Sequence, residues 1–192
     1  MALPLVQQGA VAVGRATTTS APAISGVTAG NFLLLWVALS DQTAANPTAA
    51  IATPSGWTAA ENPTGPTGGV GFAPNVALFY KENATAGANS AAITFTTSVY
   101  SQAQICEFSG FPTSLSLMTG HTSVIVSTQT STTGTVTATA ATSQANSVVF
   151  AIISPDNATD NTASMSTPAS AGYTSLFTIA NDVTDLDRKS VV

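Results

Sequence analysis

Charge is what this sequence has least of. Lysine, arginine, aspartate and glutamate together make up 7% of its 192 residues, against roughly 25% in an ordinary soluble domain. Four residues are basic and the net charge is −5. That excludes recognition of a nucleic-acid backbone, which takes clustered lysine and arginine. No charged side chain stands between Glu107 and Asp156, so hydroxyls and amides must solvate that stretch. A free monomer ordinarily keeps more charge than this for colloidal stability. The single cysteine, Cys106, excludes an internal disulfide and reads as a small buried strand residue. With one histidine, His121, a tetrahedral zinc site would have to be built on carboxylates. The apolar run 32–39 is far short of the about 20 residues a membrane-crossing helix needs, and 1–5 lacks the basic start and apolar core of a secretion signal. No membrane partner is expected.

Helical periodicity is missing too. Short runs rich in Val, Ile, Thr, Phe and Tyr recur between Gly, Pro, Asn and Ser clusters, so the chain reads as all-β. Strands are predicted at 7–13, 17–24, 32–40, 57–61, 76–81, 91–97, 101–108, 123–127, 134–141, 147–154, 173–179 and 190–192. The strand 134–141 alternates threonine with small apolar residues, as a strand with one wet face should. The runs 32–39 and 148–153 are apolar at nearly every position, which is the pattern of a strand buried on both faces. In a two-layer sandwich such a strand needs a second cover, from loops of its own chain or from another subunit. The glycine-rich loop 62–71 lacks the Gly-Lys-Ser/Thr ending of a phosphate cradle.

What the sequence does have is an internal repeat. Thr28-Ala29-Gly30-Asn31 and the apolar strand to Ser40 and Asp41 are echoed by Ser143-Gln144-Ala145-Asn146 and the strand to Ser154, Pro155 and Asp156, 115 positions on. Thr53-Pro54-Ser55-Gly56-Trp57-Thr58 is then matched by the longer phrase from Thr167 and Pro168 to Gly172, Tyr173 and Thr174. At the spacing these phrases set, 188–192 falls on 74–78. A duplicated strand-and-turn pattern speaks of architecture before chemistry.

Candidate chemistry is sparse. His121 has no Gly-x-Ser-x-Gly elbow beside it, and a lone loop histidine is ordinarily solvated. Asp156 and Asp160 are weak calcium candidates, because calcium takes oxygen ligands from such loops, but EF-hand spacing is absent; no cofactor is expected. Trp57, Tyr80, Tyr100 and Tyr173 are candidates for a sugar-stacking platform. Trp57 and Tyr173 occupy matching places in the repeat, which favours packing at the start of a strand. Trp36 belongs to the core. The remaining interface candidates cluster near the end: Asp182, Asp185, Asp187, Arg188, Val191 and Val192.

The order Gly30-Asn31 before an apolar strand, Pro54-Ser55-Gly56-Trp57, Leu78-Phe79-Tyr80-Lys81, Ile93-Thr94-Phe95-Thr96 and Glu107-Phe108-Ser109-Gly110 resembles β-sandwich domains of tailed-phage virion proteins and of some bacterial surface proteins. The resemblance implies one antiparallel, two-sheet, jelly-roll-like β-sandwich over 1–192, its related halves at about 17–111 and 132–192, and a structural or adhesive role without catalytic residues. A hydroxyl-rich, charge-poor surface suits wide contacts with neighbours, where charges would be costly to desolvate. The expectation is therefore a non-enzymatic capsid cement or decoration protein on the phage head, made in the host cytoplasm without a signal peptide. Its expected partners are the major capsid protein and further copies of itself, with 182–192 as the place for a neighbour to dock. The alternative is a carbohydrate- or receptor-binding module of a tail, fibre or bacterial surface protein, with a glycan as partner.

Overall fold

The computed structural model describes residues 5–40, 51–61, 75–111, 152–153, 177–179 and 189–191. These residues form eleven strands: β1 Leu5–Gln8, β2 Ala12–Ser20, β3 Ala23–Val27, β4 Phe32–Ser40, β5 Thr58–Glu61, β6 Asn75–Lys81, β7 Gly87–Ser90, β8 Ile93–Phe108, β9 Ile152–Ile153, β10 Phe177–Ile179 and β11 Lys189–Val191. Every pairing is antiparallel, so the described region is all-β.

The largest sheet runs β1-β8-β4-β6-β5, with β2 also on β8. Residues 100–108 of β8 pair with β4. Residues 106–108 also pair with β1, and 93–103 with β2. A strand has two edges, so β1 and β2 lie end to end along the edge of β8 that β4 leaves open.

The apolar run in β4 is buried on both faces. Leu33, Leu35 and Val37 join Ala77, Phe79, Ala103 and Ile105 in one cluster, which also takes in Ile24 and Val27 from β3. Phe32, Leu34, Trp36 and Ala38 point the other way, into a cluster with Tyr80, Cys106 and Phe108. Side chains of a strand alternate between faces, so a run without polar positions can be buried on both.

Two turns explain two of the recurring phrases. The Asn31 N–H donates to Thr28 O at 3.2 Å and the Trp57 N–H to Pro54 O at 3.1 Å. The third residue of each four-residue turn is a glycine at positive φ, Gly30 at 84° and Gly56 at 77°, the conformation a type II turn demands there.

Several boundaries differ from the sequence expectation. The predicted strands 91–97 and 101–108 are one continuous strand, because β2 pairs across the junction at Val99 and β4 at Tyr100. The predicted strands 7–13 and 17–24 are instead divided as β1, β2 and β3, and Pro22, which cannot donate a ladder hydrogen bond, stands between β2 and β3. Strand β7, Gly-Ala-Asn-Ser, carries no strand-favouring residue and was not expected. It forms by pairing with β3, and Asn89 is buried there, donating to Thr85 O at 2.9 Å and accepting from Lys81 Nζ at 3.2 Å. The predicted strands 123–127 and 134–141 lie outside the described residues.

A second sheet has the order β10-β11-β9. Its pairs Ser190↔Ile153 and Val191↔Ile152 fall on positions that the repeat aligns with Val76, Ala38, Ala77 and Val37. Those residues pair as Val76↔Ala38 and Ala77↔Val37.

Candidate functional site

Register places Gln7, Glu107, Leu33 and Lys81 in one row across β1, β8, β4 and β6. Glu107 is completely buried. Its Oε1 accepts from the Thr28 backbone N–H at 2.8 Å and from Asn31 Nδ2 at 2.6 Å, and its Oε2 accepts from Gln7 Nε2. The type II turn at Gly30 aims both Thr28 and Asn31 at the carboxylate. The same turn is fastened to the β6–β7 connection, where Gly30 N donates to Ala84 O at 3.0 Å and Ala84 N to Asn31 O at 2.9 Å. One carboxylate thus ties together β1, β8 and the β3–β4 turn.

Burial alone would push the Glu107 carboxyl up. The Thr28 backbone hydrogen bond, with those from Gln7 and Asn31, outweighs burial and holds it below the ordinary carboxylate range. A carboxylate receiving three donors is a weak base, and its chemistry is that of a structural anion.

The other face of the sheet has its own polar node. Trp36 Nε1 donates to Gln104 Oε1 at 3.3 Å, and Gln104 Nε2 donates to Gly9 O at 2.8 Å. Near it the rings of Phe32 and Phe111 stack at 4.1 Å, and Phe32 stacks on Tyr80 at 5.9 Å. Cys106 sits in this cluster, where burial pushes its thiol up to about 12. Such a thiol holds almost no nucleophilic thiolate at neutral pH. Gln102, on the same face, is 0% exposed, and among the described residues neither its Nε2 nor its Oε1 has a hydrogen-bond partner.

Of the site candidates singled out from the sequence, Trp57 and Tyr80 have described side chains, and they lie in different clusters. Trp57 is 7% exposed, packs in the first cluster and donates Nε1 to Ser90 O at 3.3 Å. Tyr80 is 9% exposed and packs in the second cluster. Tyr100 lies in β8 opposite Ser40. Val191 lies in β11, paired with Phe177 and Ile152. Asp156, Asp160, Asp182, Asp185, Asp187, Arg188, Val192 and His121 lie outside the described residues. Among the described residues no three His, Cys, Asp or Glu side chains gather as a metal site would require.

Sequence reasoning missed the Glu107 node. Its signal was a single carboxylate inside a strand otherwise free of charge, in a chain whose Gly30-Asn31 turn must face something.

The chain matches no protein-family model, no curated protein and no solved structure.

Proposed function

We propose that this chain is a non-enzymatic structural protein of a tailed-phage virion, a capsid cement or decoration protein that bridges coat subunits. In this reading the whole chain is one jelly-roll-like β-sandwich of two related halves. The matching registers of β9–β11 and β4–β6 support the halves. The observation that carries the role is where the described residues with distinctive chemistry are placed. The Glu107 carboxylate, the Cys106 thiol and the Trp57 and Tyr80 rings are all buried within the fold. The phrases that carry the phage resemblance coincide with its two tight turns, its central strands and the Glu107 node. Burial of Trp57 and Tyr80 also weighs against the glycan-binding alternative, which needs exposed ring faces.

Cement proteins act by burying surface and adding contacts, with no bond broken. Phage shells assembled without this chain should therefore take it up to saturation and melt at a higher temperature once loaded, as linkage requires of a ligand that binds only the assembled state. Shells that neither bind it nor gain stability would overturn the proposal. Saturable binding on a glycan array instead would promote the alternative.

A further inference from the structure

We propose that Glu107 is the keeper of an acid-released N-terminal strand: when its carboxyl takes up a proton, β1 leaves the edge of β8 while the rest of the sheet stays folded. This device is independent of the virion reading.

The argument rests on how unequally the three partners of Glu107 are held. The Thr28–Asn31 turn lies between β3 and β4 and is fastened by two further backbone hydrogen bonds to Ala84. Strand β1 is four residues long and meets β8 at three register pairs interrupted by a bulge, Leu5↔Phe108, Gln7↔Glu107 and Gln8↔Cys106. Within β1 the one close side-chain tie is Gln7 to Glu107; Gln8 Oε1 receives Gln104 Nε2 at 3.5 Å, and Gly9, just past the strand, is the hinge, held by its N–H on Ile105 O at 2.9 Å and by Gln104 Nε2 on its O at 2.8 Å. Losing the carboxylate as an acceptor therefore weakens β1 most.

Three of the donors on Glu107 are N–H groups, which cannot accept a proton, and the Thr28 side chain bonds the carboxylate as well. Oε1 already receives two of the N–H groups, so a proton on Oε2 meets the Gln7 amide hydrogen head-on. Gln7 must then turn its amide over or leave. Among the described residues no cation is bonded to the carboxylate. Gln7 and Gln8 of β1, Thr28 and Asn31 of the turn, and Leu33 of β4 carry no charge. The charges nearest in the packing are Lys81, two strands away in the same row with its Nζ on Asn89, and Glu82 beside it at the end of β6. Cys106, the neighbour on β8, points to the opposite face.

The carboxyl is lowered in the closed state by Thr28, Gln7 and Asn31 together, and it rises when the Gln7 bond is lost while the turn stays in place. The latch is therefore shut while the carboxylate is ionised and is lost as pH falls through its lowered closed-state value.

The test follows backbone hydrogen exchange, as protection factors, in the full chain from neutral pH to about pH 2.5. Residues 5–8 should lose protection, by about tenfold for each unit separating the closed and open carboxyls, while β4 stays protected. The only cysteine gives a second readout, because Leu5 packs on the cluster that holds Cys106. Labelling of Cys106 by a dipyridyl disulfide, which reacts in acid, should speed up over the same range. In Glu107→Gln the acid dependence of both readouts should vanish, and in Gln7→Ala residues 5–8 should be less protected already at neutral pH. Loss of protection in β1 and β4 at one and the same pH would overturn the proposal. So would wild-type acid dependence in Glu107→Gln.

Discussion

The two ends of β8 obey different rules. At its start Ile93 and Phe95 are buried while Thr94 and Thr96 are exposed, the alternation of a strand with one wet face. From Ser101 to Phe108 every residue is buried, although the sequence there, Ser-Gln-Ala-Gln-Ile-Cys-Glu-Phe, is half polar. A polar residue in a strand is thus no guarantee of solvent. The buried polar residues divide by whether a partner meets them. Glu107 and Gln104 have partners in Asn31, Thr28, Gln7, Trp36 and Gly9. Gln102 and the Ser101 hydroxyl have none among the described residues.

The sharpest way to break this contrast is to remove the partner-holding group. Glu107→Leu leaves the Thr28 N–H, Asn31 and Gln7 without their acceptor in a buried site, and each such group costs about 1–3 kcal/mol. Chemical denaturation should show a loss of about 3 kcal/mol or more, larger than any single uncharged hydrogen bond explains. Apolar truncation separates the two ends next. Ile105→Ala, at a fully buried position, should lose about 2–5 kcal/mol, whereas Thr94→Ala, on the wet face, should stay within about 0.5 kcal/mol. The smallest effect has the opposite sign. Gln102→Met removes two unpartnered buried polar atoms at similar volume, so the midpoint of unfolding should stay level or rise, by up to about 2 kcal/mol in stability.

Much of the first half was legible because its signals were local. The unbroken apolar run of β4 announced burial on two faces, and the repeated phrases announced strands with turns, where the structure finds Gly30 and Gly56 at positive φ. The elements that escaped depend on contacts distant in sequence. β7 has no strand propensity of its own, and β3 supplies its ladder. The sequence reads as two strands with a break at 98–100, yet β2 pairs at Val99 and β4 at Tyr100, so β8 runs through it. The Glu107 node unites positions 7, 28, 31 and 107, which no periodicity connects. Trp57 illustrates the intermediate case: its matching place with Tyr173 in the repeat pointed to packing, and its ring lies in the first cluster with Nε1 on Ser90 O.

The repeat sharpens the same lesson. Positions 31 and 146 are both asparagine, but the turn glycine Gly30 is matched by Ala145, so the second copy lacks the residue that shapes the Glu107-facing turn in the first. The two pairs of β9 with β11 keep the register of β4 with β6.

The most direct test of the structural role is the number of copies of this chain per virion, counted by quantitative mass spectrometry against the major capsid protein in purified particles. A cement protein occupies many equivalent lattice sites, so the account predicts a copy number in fixed proportion to the coat subunits. A handful of copies per particle, or none, would contradict it.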